Sequence, residues 1–213
     1  MPLFLTFEGG EGSGKTTQIQ LLAEALQKRG LPCVLTREPG GTDIGVEIRR
    51  ILLDGKNRHL GPLAELMLYA ADRAQHLDET IRPALRAGKI VLCDRFADAT
   101  VAYQGFGRGL DLQLISELNE LATGGLKPDR SFLLDLPVEI GLARAKARLA
   151  RQKSSEGRFE AEALAFHEKV RQGYLRLALE EPERFRVLDA TLEVEAIHRK
   201  LLQEVEPLLE AKL

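Results

Sequence analysis

The sequence is poor in cysteine, has no tryptophan and contains no long apolar run. Its two cysteines, Cys33 and Cys93, lie in separate apolar runs and form no Cys-x-x-Cys pair, so both are expected to be small buried apolar residues. No run approaches the roughly 18–20 apolar residues of a membrane span. The N-terminus lacks the charged segment and cleavage site of a secretory signal. We therefore expect a cytoplasmic protein with reduced thiols.

An excess of positive charge is also absent. Thirty lysines and arginines stand against 32 aspartates and glutamates, which gives a net charge of -2. No global basic field argues for a nucleic-acid partner, so any anionic ligand must be bound by a local cluster of positive charge. The 213 residues are enough for one sizeable core, and we expect a single domain spanning residues 1–213.

Short apolar runs alternate with longer segments of helical periodicity. The runs are nearly continuous rather than alternating, which is typical of parallel strands covered on both faces. They are Leu3 to Phe7, Cys33 to Thr36, Ile90 to Cys93, Phe132 to Leu136 and Phe185 to Leu188. The alternation predicts an α/β fold with an open, doubly wound parallel sheet and helices on both faces.

Two of the intervening helices have clear end signals. The first carries Ile19, Leu22 and Leu26 on one face and should end before Gly30. Another should begin at an N-cap, Asp111, and end at Gly124. The C-terminal segment, residues 192–213, is predicted to be a charged amphipathic helix.

A glycine-rich segment between the first strand and the first helix matches G-x-x-x-x-G-K-[ST]. Glycines allow backbone N–H groups to converge on phosphate oxygens, and the helix N-terminus adds partial positive charge. The lysine should reach the β- and γ-phosphates, and the threonine after it should hold Mg²⁺. The candidate ATP-binding residues are Gly9, Gly10, Glu11, Gly12, Ser13, Gly14, Lys15, Thr16 and Thr17.

The phosphate loop establishes a nucleotide site but not a reaction. A GTPase would carry an N-K-x-D motif for the base, and the sequence contains none. A phosphotransferase needs a second site for its acceptor. The alternative is a module that binds ATP without transferring phosphate, and it should lack an acceptor site or a lid.

Three further motifs carry a family resemblance. They are Thr36 to Thr42 (TREPGGT), Cys93 to Phe96 (CDRF) and Ala102 to Gly105 (AYQG), followed by Gly107-Arg108-Gly109. In order and spacing the chain resembles bacterial thymidylate kinases from Leu3 to about Ala190. The resemblance implies a five-stranded P-loop kinase fold, a homodimer, and transfer of the γ-phosphoryl of ATP to dTMP with Mg²⁺. A kinase of another pyrimidine deoxynucleotide or of a deoxynucleoside is the alternative.

Four residues are candidates for the acceptor base. Tyr69 and Arg73 are four residues apart on a predicted helix, so they share a face that can stack on a pyrimidine and hydrogen-bond it. A tyrosine packed in the core beside a surface arginine is the alternative. The resemblance implies that Tyr69 stacks on thymine, that Arg73 reaches its O4, that Gln104 faces its N3 edge and that Thr100 lines the same pocket.

Three arginines, Arg37, Arg49 and Arg95, are candidates for the acceptor phosphate, since guanidinium groups pair well with phosphate oxygens. The resemblance favours Arg49 and Arg95 as the phosphate ligands. For Arg37, the alternative is a structural role. Glu11 would repel ATP phosphates. The resemblance assigns it to the 3′-hydroxyl of the acceptor sugar, and the alternative is a solvated charge at a helix N-terminus.

The remaining acceptor and metal candidates lie near strand ends. The resemblance implies that Tyr103 crowds the 2′ position and so favours deoxyribose. Asp94 ends a buried strand at the edge of the sheet where α/β ligands bind, so it should organise Mg²⁺ with Thr16 or orient the acceptor. Glu38 is a second carboxylate near the acceptor. Lys15 and Arg95 complete the candidates for charge neutralisation during transfer.

A basic segment, residues 144–160, is predicted to form a lid, with its most mobile part from Arg151 to Gly157. The alternative is an ordinary surface loop that follows a solvated basic helix face. Its cations are Arg144, Lys146, Arg148, Arg151, Lys153 and Arg158. Family members without an arginine in the phosphate loop supply catalytic arginines from this lid, which implies that Arg151 or Arg158 stabilises charge between the β- and γ-phosphates. Relatives commonly read Asp-Arg-x-Glu where this chain reads Gly157-Arg158-Phe159-Glu160.

Overall fold

The computed structural model describes residues 2–152 and 155–211, and within these ranges five strands form one parallel sheet. The strands are β1 Leu3–Glu8, β2 Cys33–Arg37, β3 Ile90–Asp94, β4 Arg130–Asp135 and β5 Phe185–Asp189. Their order is β2-β3-β1-β4-β5. The sheet lies between helices, so the predicted open, doubly wound α/β fold is confirmed.

The helices follow the predicted alternation. They are α1 Lys15–Lys28, α2 Asp43–Leu53, α3 Pro62–His76, α4 Arg82–Arg86, α5 Ala97–Thr100, α6 Leu112–Thr123, α7 Val138–Gln152, α8 Leu164–Glu180 and α9 Val194–Glu210. Wider π-helical turns, Leu77–Ile81 and Val101–Gly107, continue α3 and α5. The second of these carries two of the predicted acceptor residues, as π-helical segments at functional sites often do.

The central strand β1 divides the core between the two faces of the sheet. Leu3, Leu5 and Phe7 pack with the buried sides of α1 and α9. Phe4 on the opposite face packs with the turn Leu77–Ile81 and with β3 residues. Since successive side chains of a strand point to opposite faces, a continuously apolar strand is what two helical layers require.

The helix end signals in the sequence are confirmed. The helix α1 ends at Lys28 ahead of Gly30, which has a φ of 71°. Asp111 Oδ1 accepts a hydrogen bond from Leu114 N at 2.9 Å, and Gly124 takes a left-handed conformation after α6. The predicted C-terminal helix is α9, whose buried face is formed by Ile197, Leu201, Val205 and Leu209. Residues 212 and 213 of the predicted span lie outside the described residues.

The predicted lid is largely helical at its start. The helix α7 carries Arg144, Arg148 and Arg151, all exposed, and residues 155–160 return toward α2. Lys153 and its neighbour 154 lie outside the described residues. Of the cysteines, Cys93 is buried and Cys33 is partly buried, and both are free thiols. Among the described helices, none combines the length and the apolar character needed to cross a membrane.

Candidate active site

The phosphate loop has the geometry that its sequence predicts. It joins β1 to α1, and Gly14 precedes α1 in a left-handed conformation. The Lys15 ammonium group donates to the carbonyl oxygens of Gly9 and Gly10 at 3.1 and 3.0 Å and to Ser13 Oγ at 3.3 Å. Lysine thus holds the loop closed around the space where phosphate oxygens would lie.

Backbone contact fixes this loop against the start of α7. Gly12 has a φ of 68°, and a Cβ at this position would lie 2.2 Å from the carbonyl oxygen of Gly141. A Cβ on Gly141 would in turn lie 2.3 Å from the carbonyl oxygen of Glu11. These two backbone segments can approach this closely only because both positions are glycine.

Hard oxygen donors meet beside the loop. Thr16, in the first turn of α1, donates its hydroxyl proton to Asp94 Oδ2 at 2.9 Å. Asp94 ends β3, which neighbours β1 in the sheet. Mg²⁺ in kinases takes one or two protein oxygens and fills its octahedron with phosphate oxygens and water. A hydroxyl and a carboxylate in contact fit this requirement.

The turn after β3 directs Arg95 toward the phosphate loop. Arg95 is a non-glycine residue with a φ of 70°, a conformation that costs about 1–2 kcal/mol for an L-residue. The buried carboxyl group of Glu8 holds the residue after Arg95 in place by accepting from Phe96 N at 2.8 Å, and it also accepts from Tyr174 Oη at 3.0 Å. Burial, followed by the charge of Asp98, raises the pKa of Glu8 to about 8.

Arg95 meets two predicted acceptor residues at the mouth of the loop. Its Nη2 donates to Glu11 Oε1 and to Tyr103 Oη, both at 2.8 Å, and Tyr103 Oη donates to Glu11 Oε1 at 2.7 Å. Burial alone would raise the pKa of Glu11, but the charges of Arg95 and Lys15 outweigh it and lower the pKa to about 2. A charged carboxylate, a charged guanidinium and a neutral phenol are therefore held together by hydrogen bonds, since burial raises the pKa of Tyr103.

A pocket of about 260 Å³ opens beside this cluster. Its walls come from the turn after β2, from α3 and from the segment after β3. The lining residues are Glu38, Pro39, Tyr69, Arg73, Arg95, Phe96, Ala99, Thr100, Tyr103 and Gln104. Five of the residues proposed from the sequence for the acceptor base and sugar are thus in one cavity, together with Arg95 and Glu38.

Arg73 is fully buried at the floor of this pocket. It donates Nε to Glu38 Oε2 at 2.9 Å, Nη1 to Asn119 Oδ1 at 2.7 Å and Nη2 to Thr100 Oγ1 at 2.8 Å. Its guanidinium is also 5.6 Å from the centroid of the Phe96 ring. A buried charge is tolerated only when it is paired and hydrogen-bonded, and the Glu38 carboxylate and three further acceptors meet this requirement around Arg73.

Glu38 therefore faces Arg73 rather than solvent. Its other oxygen, Oε1, lies 2.9 Å from His76 Nδ1, and His76 Nε2 lies 2.6 Å from Thr36 Oγ1. Both carboxylate oxygens are thus engaged by side chains of α3. The peptide between Glu38 and Pro39 is cis.

The side-chain amide of Gln104 is hydrogen-bonded by a residue that does not line the pocket. Its Nε2 donates at 2.7 Å to Oε1 of Glu65, a carboxylate of α3 that is completely buried. Arg108 donates Nε and Nη2 to the same carboxylate, each at 3.3 Å. Tyr69, one turn further along α3, is partly buried at the pocket wall.

Of the remaining predicted phosphate ligands, Arg49 is the one that the structure brings to the pocket edge. It donates Nη1 to Pro39 O at 3.0 Å, and Nε and Nη2 to Glu156 at 3.0 and 2.7 Å. Glu156 thus brings a carboxylate of the predicted lid to an arginine assigned to the acceptor phosphate. Arg37 is exposed at the end of β2.

The two candidate catalytic arginines of the lid lie in different environments. Arg151 is exposed on α7, where its Nε donates to Ala147 O of the same helix at 3.4 Å. Arg158 is buried: Nε donates to Leu52 O and Nη2 to Glu65. In the arrangement that the structure describes, Arg158 therefore reaches the acceptor side of the site rather than the phosphate loop.

Several residues of the site were missed from the sequence. Glu65, Tyr69 and Arg73 are spaced four residues apart on α3, so helical periodicity alone could have placed Glu65 beside the predicted base pocket. Asn119 and Glu8 were missed because Asn119 reaches the site from a distant helix and Glu8 is the buried last residue of β1.

A comparison with known proteins agrees with this geometry. A model of the thymidylate kinase family matches residues 7–201. Thymidylate kinase of Trichlorobacter lovleyi is 59% identical over 192 residues, which are 90% of this chain and 91% of that protein. Thymidylate kinase of Syntrophotalea carbinolica is 58% identical over 202 residues, 93% of each chain.

The fold comparison points the same way. The crystal structure of thymidylate kinase from Ehrlichia chaffeensis superposes with a TM-score of 0.77 at 35% identity, covering 96% of this chain and 98% of that one. The sequence match and the structural match both extend over nearly the whole chain. The protein therefore belongs to the thymidylate kinase family.

Proposed function

We propose that the protein transfers the γ-phosphoryl group of ATP to dTMP and so produces dTDP and ADP. The observation that carries this proposal is the direct contact between the phosphate loop and the acceptor pocket. Glu11 belongs to the loop and Tyr103 to the pocket, and Arg95 bonds both. A donor phosphate on the loop and an acceptor in the pocket would meet at this point, which is what transfer between two bound nucleotides requires.

The base of dTMP is held by the inner half of the pocket. Tyr69 stacks on thymine, Arg73 donates to O4, and Gln104 bonds the N3 edge. Thr100, whose hydroxyl accepts from Arg73, lines the same wall. The network around Arg73 supports this assignment, since Glu38 and Asn119 fix its guanidinium in one orientation before the base arrives. Glu38 is thus assigned to positioning Arg73.

The sugar and phosphate of dTMP occupy the outer half. Glu11 accepts from the 3′-hydroxyl, and Tyr103 crowds the 2′ position, which favours deoxyribose. Arg95 and Arg49 neutralise the acceptor phosphate, and Arg37 at the end of β2 adds positive charge to the same edge. Two fixed guanidinium groups favour a dianionic phosphate as the acceptor.

The donor triphosphate lies on residues 9–17. Lys15 lies at the β- and γ-phosphates, where its ammonium group exchanges the carbonyl oxygens of Gly9 and Gly10 for phosphate oxygens. Thr16 and Asp94 would hold Mg²⁺, which supplies positive charge for the phosphoryl group during transfer. The acceptor phosphate is already a nucleophile, so the chain's own residues act by positioning it and by neutralising charge, without a general base.

Residues 144–160 act as a lid over the donor. Arg151 is the better placed of the two lid arginines to reach the β- and γ-phosphates, because it is exposed and makes no contact beyond its own helix among the described residues. Such an arginine contributes about 10³- to 10⁵-fold in rate. Arg158 reaches the same position only after leaving Glu65.

The functional unit is a homodimer formed through α2 and α3. These neighbouring helices expose several large apolar side chains: Ile44, Val46, Ile51, Leu63 and Met67. Contiguous exposed apolar surface on a globular protein marks an interaction site. Sedimentation of the protein should give the mass of two chains, and an Ile51→Glu, Met67→Glu variant should sediment as a single chain.

The first test is ADP release from ATP and Mg²⁺ with dTMP, dUMP, dCMP, AMP or thymidine as the acceptor. Strong turnover with dTMP, weaker turnover with dUMP and almost none with the others is expected. The thymine methyl contributes only about 1–3 kcal/mol of discrimination, which is why dUMP should retain activity. A preference for another acceptor would overturn the assignment of the pocket. ADP release that does not depend on any of these acceptors would overturn the assignment of the protein as a phosphotransferase.

A further inference from the structure

The carboxylate of Glu65 is buried behind the acceptor pocket and is shared by three side chains. It is completely inaccessible to solvent. It accepts from Gln104 Nε2 at 2.7 Å, from Arg108 at 3.3 Å and from Arg158 Nη2. It is not part of the pocket lining, whereas Gln104 is. Of the three side chains that bond Glu65, Gln104 is the one that lines the pocket, so it links this carboxylate to the acceptor.

The chemistry of the pair determines which way the Gln104 amide points. An ionised carboxylate only accepts hydrogen bonds, whereas an amide has a donating NH₂ end and an accepting carbonyl end. Guanidinium groups only donate, so Arg108 and Arg158, which both pair with the buried Glu65 carboxylate, require its oxygens to act as acceptors. The NH₂ group of Gln104 must then face Glu65, which leaves the carbonyl oxygen Oε1 for the pocket.

We infer that Glu65 is the positioning residue that makes the pocket selective for a base carrying an N3–H donor. This inference rests on the proposed function. Thymine and uracil present N3–H, which the Oε1 carbonyl of Gln104 accepts. Cytosine presents an unprotonated N3, so two lone pairs would face each other, and its 4-amino group would also face the Arg73 donors. Glu65 prevents Gln104 from turning its NH₂ toward cytosine.

The consequence is measurable as a ratio of specificities. Glutamine in place of Glu65 presents either an oxygen or an NH₂ group, so the Gln104 amide can turn over. Leaving one buried hydrogen bond unmade or mispaired typically changes an equilibrium by roughly 10- to 100-fold. We expect Glu65→Gln to reduce the kcat/KM ratio of dTMP to dCMP by about this factor. Arg73 still disfavours cytosine, so the preference should shrink rather than invert.

The ratio of dTMP to dUMP is an internal control. Both bases carry N3–H and O4, so reorientation of Gln104 affects them equally and the ratio should not change. General damage to the pocket would lower activity on all three acceptors together. A matched variant is Glu162→Gln, because Glu162 pairs with Arg108 at 2.6 Å but does not bond Gln104. This variant should keep the parental dTMP to dCMP ratio.

A double-variant cycle separates the positioning role from a purely structural one. In a Gln104→Leu background the effect of Glu65→Gln on the dTMP to dCMP ratio should vanish, because there is no amide left to turn. An effect of the same size in that background would overturn the inference. So would a folded Glu65→Gln variant, verified by its circular dichroism melting curve, that keeps the parental ratio.

The parent enzyme supplies a measurement if the Glu65 variant does not fold. A scalar coupling across the hydrogen bond from Gln104 Nε2 to the carboxylate carbon of Glu65 is expected in NMR spectra of the dTMP-bound protein. Absence of that coupling for an assigned Gln104 amide would overturn the inference. Failure of the proposed function is a different result, since the parent enzyme would then show no preference for dTMP at all.

Discussion

Removal of the lid carboxylate Glu156 should strengthen dTMP binding. Glu156 and Arg49 form a bidentate ion pair with N–O distances of 3.0 and 2.7 Å. We assign Arg49 to the acceptor phosphate, so dTMP must displace this carboxylate before its phosphate can pair. Glutamine at position 156 keeps the size of the side chain and removes the competing charge.

The expected magnitude is modest because the pair is partly solvated. The side chains of Arg49 and Glu156 are 20% and 37% exposed. Exposed ion pairs contribute about 0.2–1 kcal/mol, and bidentate geometry places this pair near the upper end. The hydrogen bonds from Arg49 also lower the pKa of Glu156, so the carboxylate stays charged at neutral pH. About 1 kcal/mol corresponds to a roughly fivefold lower KM for dTMP in the Glu156→Gln variant.

The assay is steady-state kinetics with dTMP varied at saturating ATP, at low and at high ionic strength. The fivefold difference should shrink in high salt, because salt screens partly exposed charges. A matched control is Glu206→Gln, which removes one partner of another bidentate ion pair, with Arg29 at 2.6 and 2.9 Å. That pair joins the residue after α1 to α9, away from the pocket, so its loss should leave the KM for dTMP unchanged.

An unchanged or higher KM for dTMP in folded Glu156→Gln would refute this reasoning. It would mean either that the acceptor phosphate does not use Arg49 or that the lid carboxylate helps to bind dTMP. The KM for ATP separates general damage from the expected effect, since it should match that of the parent protein.

Three further predictions concern the donor side. Burial, with a contribution from Arg95, lowers the pKa of Lys15 from 10.5 to about 8. The KM for ATP should therefore be constant below about pH 8 and rise above it, because the ammonium group loses its proton. Initial rates measured over a series of pH values check this. Gly12→Ala should lose ATP binding and about 1–3 kcal/mol of stability, because its Cβ would lie 2.2 Å from a carbonyl oxygen. Calorimetry checks this, with Gly61→Ala as the control, since a Cβ at position 61 would have no atom within 4 Å. Asp94→Asn should raise the Mg²⁺ concentration for half-maximal rate by about 10- to 100-fold in a metal titration, and an unchanged midpoint would remove Asp94 from the metal site.

The strands and the donor site could be predicted from the sequence because their signals are local. Each apolar run became a strand within two residues of its predicted bounds. The phosphate loop is a contiguous motif, and Asp111 and Gly124 mark their helix ends by their own side-chain or backbone chemistry. These features depend on neighbours in the chain, which a sequence displays directly.

The acceptor site depends on contacts between distant segments, so only part of it could be predicted. Tyr69 and Arg73 could be placed on one helix face, but the burial of Arg73 against Glu38 and Asn119 requires the packing of three elements. The lid is the clearest case: its cations suggested contact with ATP, while Arg158 lies against Glu65. A positive charge predicts an anionic partner, but it does not identify which carboxylate or phosphate that partner is.

The acceptor pocket is formed by residues that lie far apart in the sequence, and this has a consequence for the screening of ligands. Arg73 alone ties together residues 38, 100 and 119, and the carboxylate behind the pocket adds residue 158. A partly unfolded chain therefore has no pocket, and any compound that fills it must bind the native state alone. A ligand at 100 times its dissociation constant then raises the free energy of unfolding by about 2.7 kcal/mol. Thermal shift measurements should thus rank pocket ligands by affinity without any assay of turnover.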